Sequence, residues 1–345
     1  MQSVVFYGPG ELRLEDYPIP VPGENEVRLG VILAGICSTD LHICQGHFAI
    51  QPPRVLGHEL VGLVDALGPG VPGHWLGQMC GVSPALFCGE CAPCRSGAPE
   101  LCANFTCLGN TQDGAFAEFT LARLDQLAPL GNLSPESAVW LEPLACVLHA
   151  IRAASLVGRG PVLVIGAGTL GRLMVQVLRA TGEAPLAVVD PNPLKIEQAL
   201  AEGAQAGWVV PRSGPVPDVD REIQRWSVGG PQTIFDTTGA PAAIERALVW
   251  AGPKARILLF GVSDPAARLN IPPSLIFSKE LTLSATAGMT PDSFQEAEKL
   301  LRSRRLDTAA LVSTVIDLSE IPGVLRDRGS LQAGKVLVSP SGYRP

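Results

Sequence analysis

Apolar positions fall into two textures along the chain. Up to about residue 150 they form short runs, "VRLGVILAG", "LVGLVDALG" and "AFAEFTLA", cut by Gly, Pro and Asn. Short apolar strands with dense turn punctuation predict a small barrel or sandwich-like β domain. Near residue 160 the texture changes. "PVLVIGAG" is a short, wholly apolar run suited to a buried parallel strand, and "TLGRLMVQVLRATG" follows with helical spacing. "APLAVVD" and "NPLKIEQALAEGA" repeat the alternation, and "QTIFDTTG", "PAAIERALVWA", "KARILLFGV" and "LTLSATA" carry it to about residue 288. Alternating strand and helix predicts a doubly wound parallel sheet, so the chain reads as α/β with a β-rich first part. The last stretch, 289–345, holds the helical "PDSFQEAEKLLRSRR" and a terminal strand "GKVLVSP". Periodicity leaves open whether it stands alone or returns to the first domain.

Composition sharpens this picture by exclusion. With 345 residues, 46% apolar and 17% charged, the chain is globular and long enough for about two domains. The net charge of −7 is spread without blocks, which argues against nucleic acid as a partner, because phosphate binding needs a concentrated cationic face. No apolar run is long enough to span a bilayer, and the first residues, "MQSVVFYGPGELRLEDYPIP", do not form a signal peptide. The expectation is a cytoplasmic protein with no membrane partner. In that compartment the nine cysteines stay reduced, and a dense cluster of them points to metal.

Two sets of residues carry candidate chemistry. "VLVIGAGTLGRL" places Gly166, Gly168 and Gly171 between a strand and a helix, the context in which G-x-G-x-x-G binds a dinucleotide. Gly166 suits the tight turn, Gly168 the approach of a pyrophosphate and Gly171 close helix packing, with Thr169 and Leu170 at the helix N-terminus. Asp190 ends the next strand, where a carboxylate accepts from ribose hydroxyls and repels a 2′-phosphate, and Lys195 follows it. These residues predict NAD as cofactor. The bland alternative is three turn glycines and a helix cap.

The second set lies upstream. "GICSTDLH", "GHELVG" and "WLEPLAC" offer Cys37, His58 and Glu142, three ligand chemistries on three segments. Three protein ligands with one open position is the usual arrangement of catalytic zinc. "CGECAPCRSGAPELC" adds Cys88, Cys91, Cys94 and Cys102.

In these motifs, taken in order, the chain resembles the zinc-containing medium-chain dehydrogenases over essentially its whole length. "LEPLAC" is similar to the third-ligand segment of the polyol (sorbitol-type) and threonine dehydrogenase branches, where glutamate stands in place of cysteine. The resemblance implies a GroES-like β-barrel catalytic domain at 1–152, a Rossmann domain at 153–288 and a C-terminal segment, 289–345, that returns to the first domain. It implies two zinc ions per chain. One is catalytic on Cys37, His58 and Glu142; the other is structural on the four cysteines, which close a tetrahedral shell and leave no position for substrate.

The resemblance further implies that Thr39 and His42 relay the substrate's proton, that Asp40 orients a ligating imidazole and that Glu59 stands beside the metal. Ser38 occupies a position where relatives often carry glycine facing the cofactor phosphates. "GQMCGV" and "HICQGHF" also depart from the family's pattern, the latter lacking the tryptophan of the threonine enzymes. The expected activity is oxidation of a polyol or related secondary alcohol, by a homodimer or homotetramer; L-threonine is the alternative substrate. Cys44, Cys80, Cys107 and Cys146 read as buried hydrophobes, and His47 as a loop histidine that either lines the substrate cleft or faces solvent.

Overall fold

A computed structural model describes residues 1–155, 160–182, 184–326 and 334–343. The chain divides into two compact units, Met1–Ala145 with Met289–Pro345, and Cys146–Gly288.

The first unit is built on a mixed sheet. Its strands run in the order Leu127–Pro129, Met79–Val82, Glu59–Leu67, Glu26–Gly35, Lys335–Val338 and Val312–Ile316, with Phe119–Arg123 also paired to Glu26–Gly35. The long strand Glu26–Gly35 is the organiser. Its alternation buries Val27, Leu29, Val31 and Leu33 on one face, as a half-buried strand requires. Each such side chain contributes about 1.5–3 kcal/mol on burial. It pairs antiparallel with Glu59–Leu67 along nearly its whole length, and with the C-terminal strand through Leu337 opposite Gly35 and Val338 opposite Ala34. The terminal "GKVLVSP" run therefore lies in the first unit's sheet. Both ligand-bearing loops emerge where these strands meet, because Gly35 stands opposite Glu59 in the register.

The second unit is a six-stranded parallel sheet ordered Ala206–Val209, Leu186–Asp190, Val162–Ile165, Thr233–Asp236, Arg256–Leu259 and Thr282–Ala285. The three central strands, VLVI, LAVVD and TIFD, are buried throughout, which explains their unbroken apolar runs. The strand order reverses beside Val162–Ile165, and open parallel sheets bind ligands at that switch point. Helices Pro193–Ala201, Pro217–Trp226, Pro241–Trp250 and Pro273–Lys279 each begin on proline, whose fixed φ suits a first helical residue and whose missing N–H costs nothing there. Lys279 caps the far end of Pro241–Trp250 by donating to the carbonyls of Leu248, Val249 and Ala251 at 3.2, 2.8 and 2.8 Å. Among the described residues no helix is long and apolar enough to cross a membrane.

Candidate metal centres and dinucleotide site

Cys37 follows the end of strand Glu26–Gly35 and caps the helix Ser38–Cys44, while His58 immediately precedes strand Glu59–Leu67. Strand pairing thus brings together residues that lie far apart in sequence. Donor atoms of Cys37, His58 and Glu59 all lie within 4.8 Å of one another. The loops fit closely. A Cβ at Gly35 would come within 2.0 Å of Glu59 Oε2, and one at Gly57, already at φ +92°, within 2.6 Å of the Phe116 ring.

Asp40 lies behind His58 and is completely buried. It accepts from the Cys37 amide at 2.9 Å and the Gly57 amide at 3.3 Å, and its Oδ1 stands 3.7 Å from His58 Nδ1. That is longer than a hydrogen bond, yet it turns the Nδ1 edge of the ring towards the carboxylate. Burial pushes the Asp40 pKa up, although His58 and the Cys37 amide oppose it. Burial works against charge on His58, but Asp40, Cys37 and Glu142 outweigh it and hold the imidazole pKa well above its ordinary value. A histidine drawn to protonation by surrounding anions is what a cation-binding site looks like before its cation is counted. Thiol, imidazole and carboxylate donors suit zinc.

Glu142 sits in the first turn of helix Leu141–Ala154 and acts electrostatically on His58, Cys107 and Lys335. It is close to the site, but the three donors that converge within 4.8 Å include Glu59 in its place. Glu59 is meanwhile bound to Lys335, whose Nζ lies 2.7 Å from Oε1 and 2.6 Å from Oε2 and also donates to the Ile36 carbonyl at 3.2 Å. Thr39 Oγ1 accepts from the Cys37 thiol at 3.6 Å. His42 is half-buried in the last turn of the helix, and Ser38 is exposed at its start.

The four-cysteine lobe forms a second convergence. Donor atoms of Cys88, Cys91, Cys94 and Cys102 lie within 4.8 Å of one another, and all nine cysteines are free thiols. Left-handed Gly89 (φ +74°) and Gly97 (φ +85°) turn the chain on either side of the short helix Ala92–Arg95. The Cys88 amide donates to Cys102 Sγ at 3.3 Å and the Cys91 amide to Cys88 Sγ at 3.4 Å. Backbone donation from Glu90 and Cys91 lowers the Cys88 pKa to about 6, and similar donation lowers Cys91, whereas burial and the neighbouring sulfurs raise Cys94 to about 12. Amides aimed at sulfur favour thiolate, the form that binds metal.

In the second unit Gly166 adopts φ +97° and Gly168 caps helix Thr169–Thr181, which sets Thr169 and Leu170 at its first positions. A Cβ at Gly171 would stand 1.9 Å from the Gly166 carbonyl. Asp190 braces the turn: one oxygen accepts the Ala167 amide at 2.8 Å and the other the Asn192 amide at 2.8 Å. Four lone-pair sites leave it capacity for further donors. Lys195 is half-buried on helix Pro193–Ala201.

Comparison with known proteins agrees with both constellations. The profile of the alcohol dehydrogenase GroES-like domain matches residues 23–132 and that of the zinc-binding dehydrogenase matches 169–303. An L-threonine 3-dehydrogenase of Pyrococcus abyssi is 31% identical, with 91% of this chain and 89% of that protein aligned. The chain belongs to the zinc-binding dehydrogenases. A sorbitol dehydrogenase of Halalkalibacterium halodurans is 28% identical over 97% of both chains. A short chain alcohol dehydrogenase of Escherichia coli CFT073, solved in complex with NADH, superimposes with a TM-score of 0.88 at 28% identity, covering 98% of this chain and 99% of that one. The fold is accordingly a GroES-like domain plus a Rossmann domain, within the polyol and threonine dehydrogenase branch.

Three features of this zinc-binding dehydrogenase escaped the sequence reading. Lys335, the partner of Glu59, lies 276 residues away, and no local pattern marks it. Cys107 is half-buried and not the fully buried hydrophobe expected; desolvation raises its pKa to about 11, and it also senses His58, Glu142, Asp40 and Cys37 and so borders the metal site. In the second unit Thr237 Oγ1 donates to the carbonyls of Ile165 and Gly166 at 2.9 and 3.1 Å, pinning the glycine turn. Asp236 holds the following loop through the Thr238 and Gly239 amides at 3.1 and 3.0 Å. A hydroxyl pair and glycine directly after an apolar strand were the available signal.

Proposed function

We propose that this dehydrogenase oxidises the secondary alcohol of a polyol or sugar alcohol with NAD as hydride acceptor. The observation that carries the reading is the convergence of Cys37 and His58, backed by buried Asp40, beside the hydroxyl of Thr39. Cys37, His58 and Glu142 are the residues that would hold the catalytic metal, with Glu59 adjacent and tied to Lys335. When bound, zinc supplies Lewis-acid polarisation of the substrate hydroxyl and NAD the two-electron acceptor.

The residues then divide the remaining work. Asp40 fixes the His58 ring. Thr39 accepts the proton of the substrate hydroxyl as hydride leaves the carbon that bears it, and His42 carries that proton away, a task suited to the two-nitrogen acid–base chemistry of histidine. Ser38, Gly166, Gly168, Thr169, Leu170, Gly171, Asp190 and Lys195 form the cofactor set, and the Asp190 carboxylate favours NAD over NADP. The four-cysteine lobe takes a second, structural zinc, giving two per chain. A cytoplasmic address suits nine free thiols. The edge strand Thr282–Ala285 and exposed Phe277, 85% accessible, favour a homodimer or homotetramer through the cofactor domain.

The test is NADH formation by zinc-loaded protein against short polyols, simple secondary alcohols and L-threonine. Turnover of a polyol that disappears in His58→Ala supports the reading. Preference for L-threonine, the substrate named for the relative at 31% identity, would replace it. Binding of NAD and zinc without turnover of any alcohol would make the chain a non-catalytic member of its fold.

A further inference from the structure

The helix that carries Cys37 and His42 ends in a tight reversal that brings a second histidine beside the first. Gly46, at φ +75°, turns the chain, and the His42 carbonyl accepts both the His47 amide at 2.9 Å and the Phe48 amide at 3.3 Å. The reversal is anchored from outside, since the Gly10 amide donates to the Cys44 carbonyl at 2.8 Å. The imidazoles of His42 and His47 face each other with centroids 5.8 Å apart and planes inclined by 39°. At that centroid separation there is room for a single water to bridge a nitrogen of one ring to a nitrogen of the other. The rings also form a gradient of exposure. His42 is half-buried, whereas His47 is open to solvent.

We infer that His47 is the outer member of a two-histidine proton exit. The inference rests on the reading of His42 as relay. Oxidation of an alcohol yields a carbonyl, a hydride taken by NAD and one proton. That proton passes from Thr39 to His42, forming imidazolium, then to His47, which forms the second imidazolium as His42 returns to neutral, and finally to bulk buffer. A proton arriving on His42 is handed outward to the ring with the better access to water. His47 acts through His42 and does not touch substrate. Its backbone is fixed by the His42 carbonyl, so replacing its side chain leaves that main-chain bond intact.

The experiment is a rapid-mixing measurement in weak buffer that follows NADH and, with an indicator dye, proton release in the same reaction. In His47→Asn, proton release should lag NADH formation by about tenfold relative to the unsubstituted enzyme, with KM unchanged. Added free imidazole should restore it, which a purely structural role would not allow. His74→Asn, an exposed histidine on the turn Gly73–Trp75, serves as control and should behave as the parent does. Normal proton release by an active His47→Asn enzyme would overturn the relay alone. A slowed variant that imidazole does not rescue, or one altered in KM, would overturn it in favour of a structural role. Failure of the unsubstituted protein to form NADH from any alcohol would overturn the proposed function and the relay with it.

Discussion

Replacing Lys335 by methionine tests the electrostatic logic of the first unit directly. The ammonium is 6% exposed and its Glu59 partner 2%, with 2.6 Å between Nζ and Oε2. Burial opposes the charge on Lys335, but Glu59 and Cys37 outweigh it and hold its pKa above the ordinary lysine value. The gross attraction at that distance is about 6 kcal/mol for an effective dielectric constant near 20. Desolvating two ions consumes several kcal/mol each, so the intact pair stabilises the fold by little. Losing one member is different. Lys335→Met abandons a carboxylate inside the protein and leaves the Ile36 carbonyl without its donor. The expected cost is about 3–5 kcal/mol, whereas Glu59→Met combined with Lys335→Met should recover most of it.

The assay is urea unfolding of chelated protein, so that Glu59 has no cation to turn to. Hydrogen exchange of the Glu26–Gly35 amides would report on the first unit by itself. A single variant within about 0.5 kcal/mol of the parent, or a double variant no better than the single, would refute the argument, since the pair would then be solvated or dispensable.

Three further outcomes follow from the geometry. Cys94→Ser should remove one zinc equivalent per chain by atomic absorption and speed proteolysis within residues 88–102; unchanged metal content would count against the lobe as a zinc site. Asp190→Ala, which removes the acceptor of the Ala167 and Asn192 amides, should raise KM for NAD about tenfold and narrow the NAD-to-NADP ratio of kcat/KM; steady-state kinetics with both cofactors decides. Tyr343→Phe removes a 2.6 Å hydrogen bond to Glu136, whose pKa burial pushes up but the tyrosine hydroxyl and neighbouring donors bring below the ordinary glutamate value. A depressed carboxylate stabilises the fold above its unfolded pKa and loses that contribution as pH falls through the folded one. The variant should therefore lose roughly 0.5–1 kcal/mol at pH 7, a figure kept small by the pair's exposure, and nothing in acid once Glu136 is protonated; equal losses at both pH values would contradict this.

The parts of this molecule legible in the sequence are those set by short-range geometry. Gly166, Gly168 and Gly171 span one turn between a buried strand and its helix; Gly166 sits at φ +97° and a Cβ on Gly171 would overlap the Gly166 carbonyl, whereas Gly168 faces open space. Asp190 was readable because it closes the neighbouring strand, and the four cysteines because their spacing winds around one short lobe. The remainder depends on strand register. Gly35 opposite Glu59, and Leu337 opposite Gly35, bring Cys37, His58 and Lys335 to one place, and periodicity does not encode which strands become neighbours. The family resemblance set Glu59 beside a site of Cys37, His58 and Glu142; the structure brings the Glu59 donor atoms within 4.8 Å of those of Cys37 and His58, and it brings Cys107, which read as an inert hydrophobe, within electrostatic reach of the same residues.

The same register explains why this corner of the sheet asks for a cation. Asp40, Glu59 and the Cys37 sulfur lie together there and Glu142 acts electrostatically on the same corner, with Asp40 and Glu59 almost wholly withdrawn from water. Lys335 supplies a buried positive charge beside them, and that charge is committed to Glu59. The surplus appears at His58, where neighbouring anions favour protonation strongly enough to overcome burial. A proton on that imidazole would remove one ligand and still leave the remaining donors underneutralised. A divalent ion held by Cys37, His58 and Glu142 would instead take the lone pair of the imidazole and offset the negative charge, so the buried acids would be less costly around a metal than in the bare protein. Lys335 neutralises Glu59, so on the proposed reading Cys37, His58 and Glu142 would be left to hold the metal.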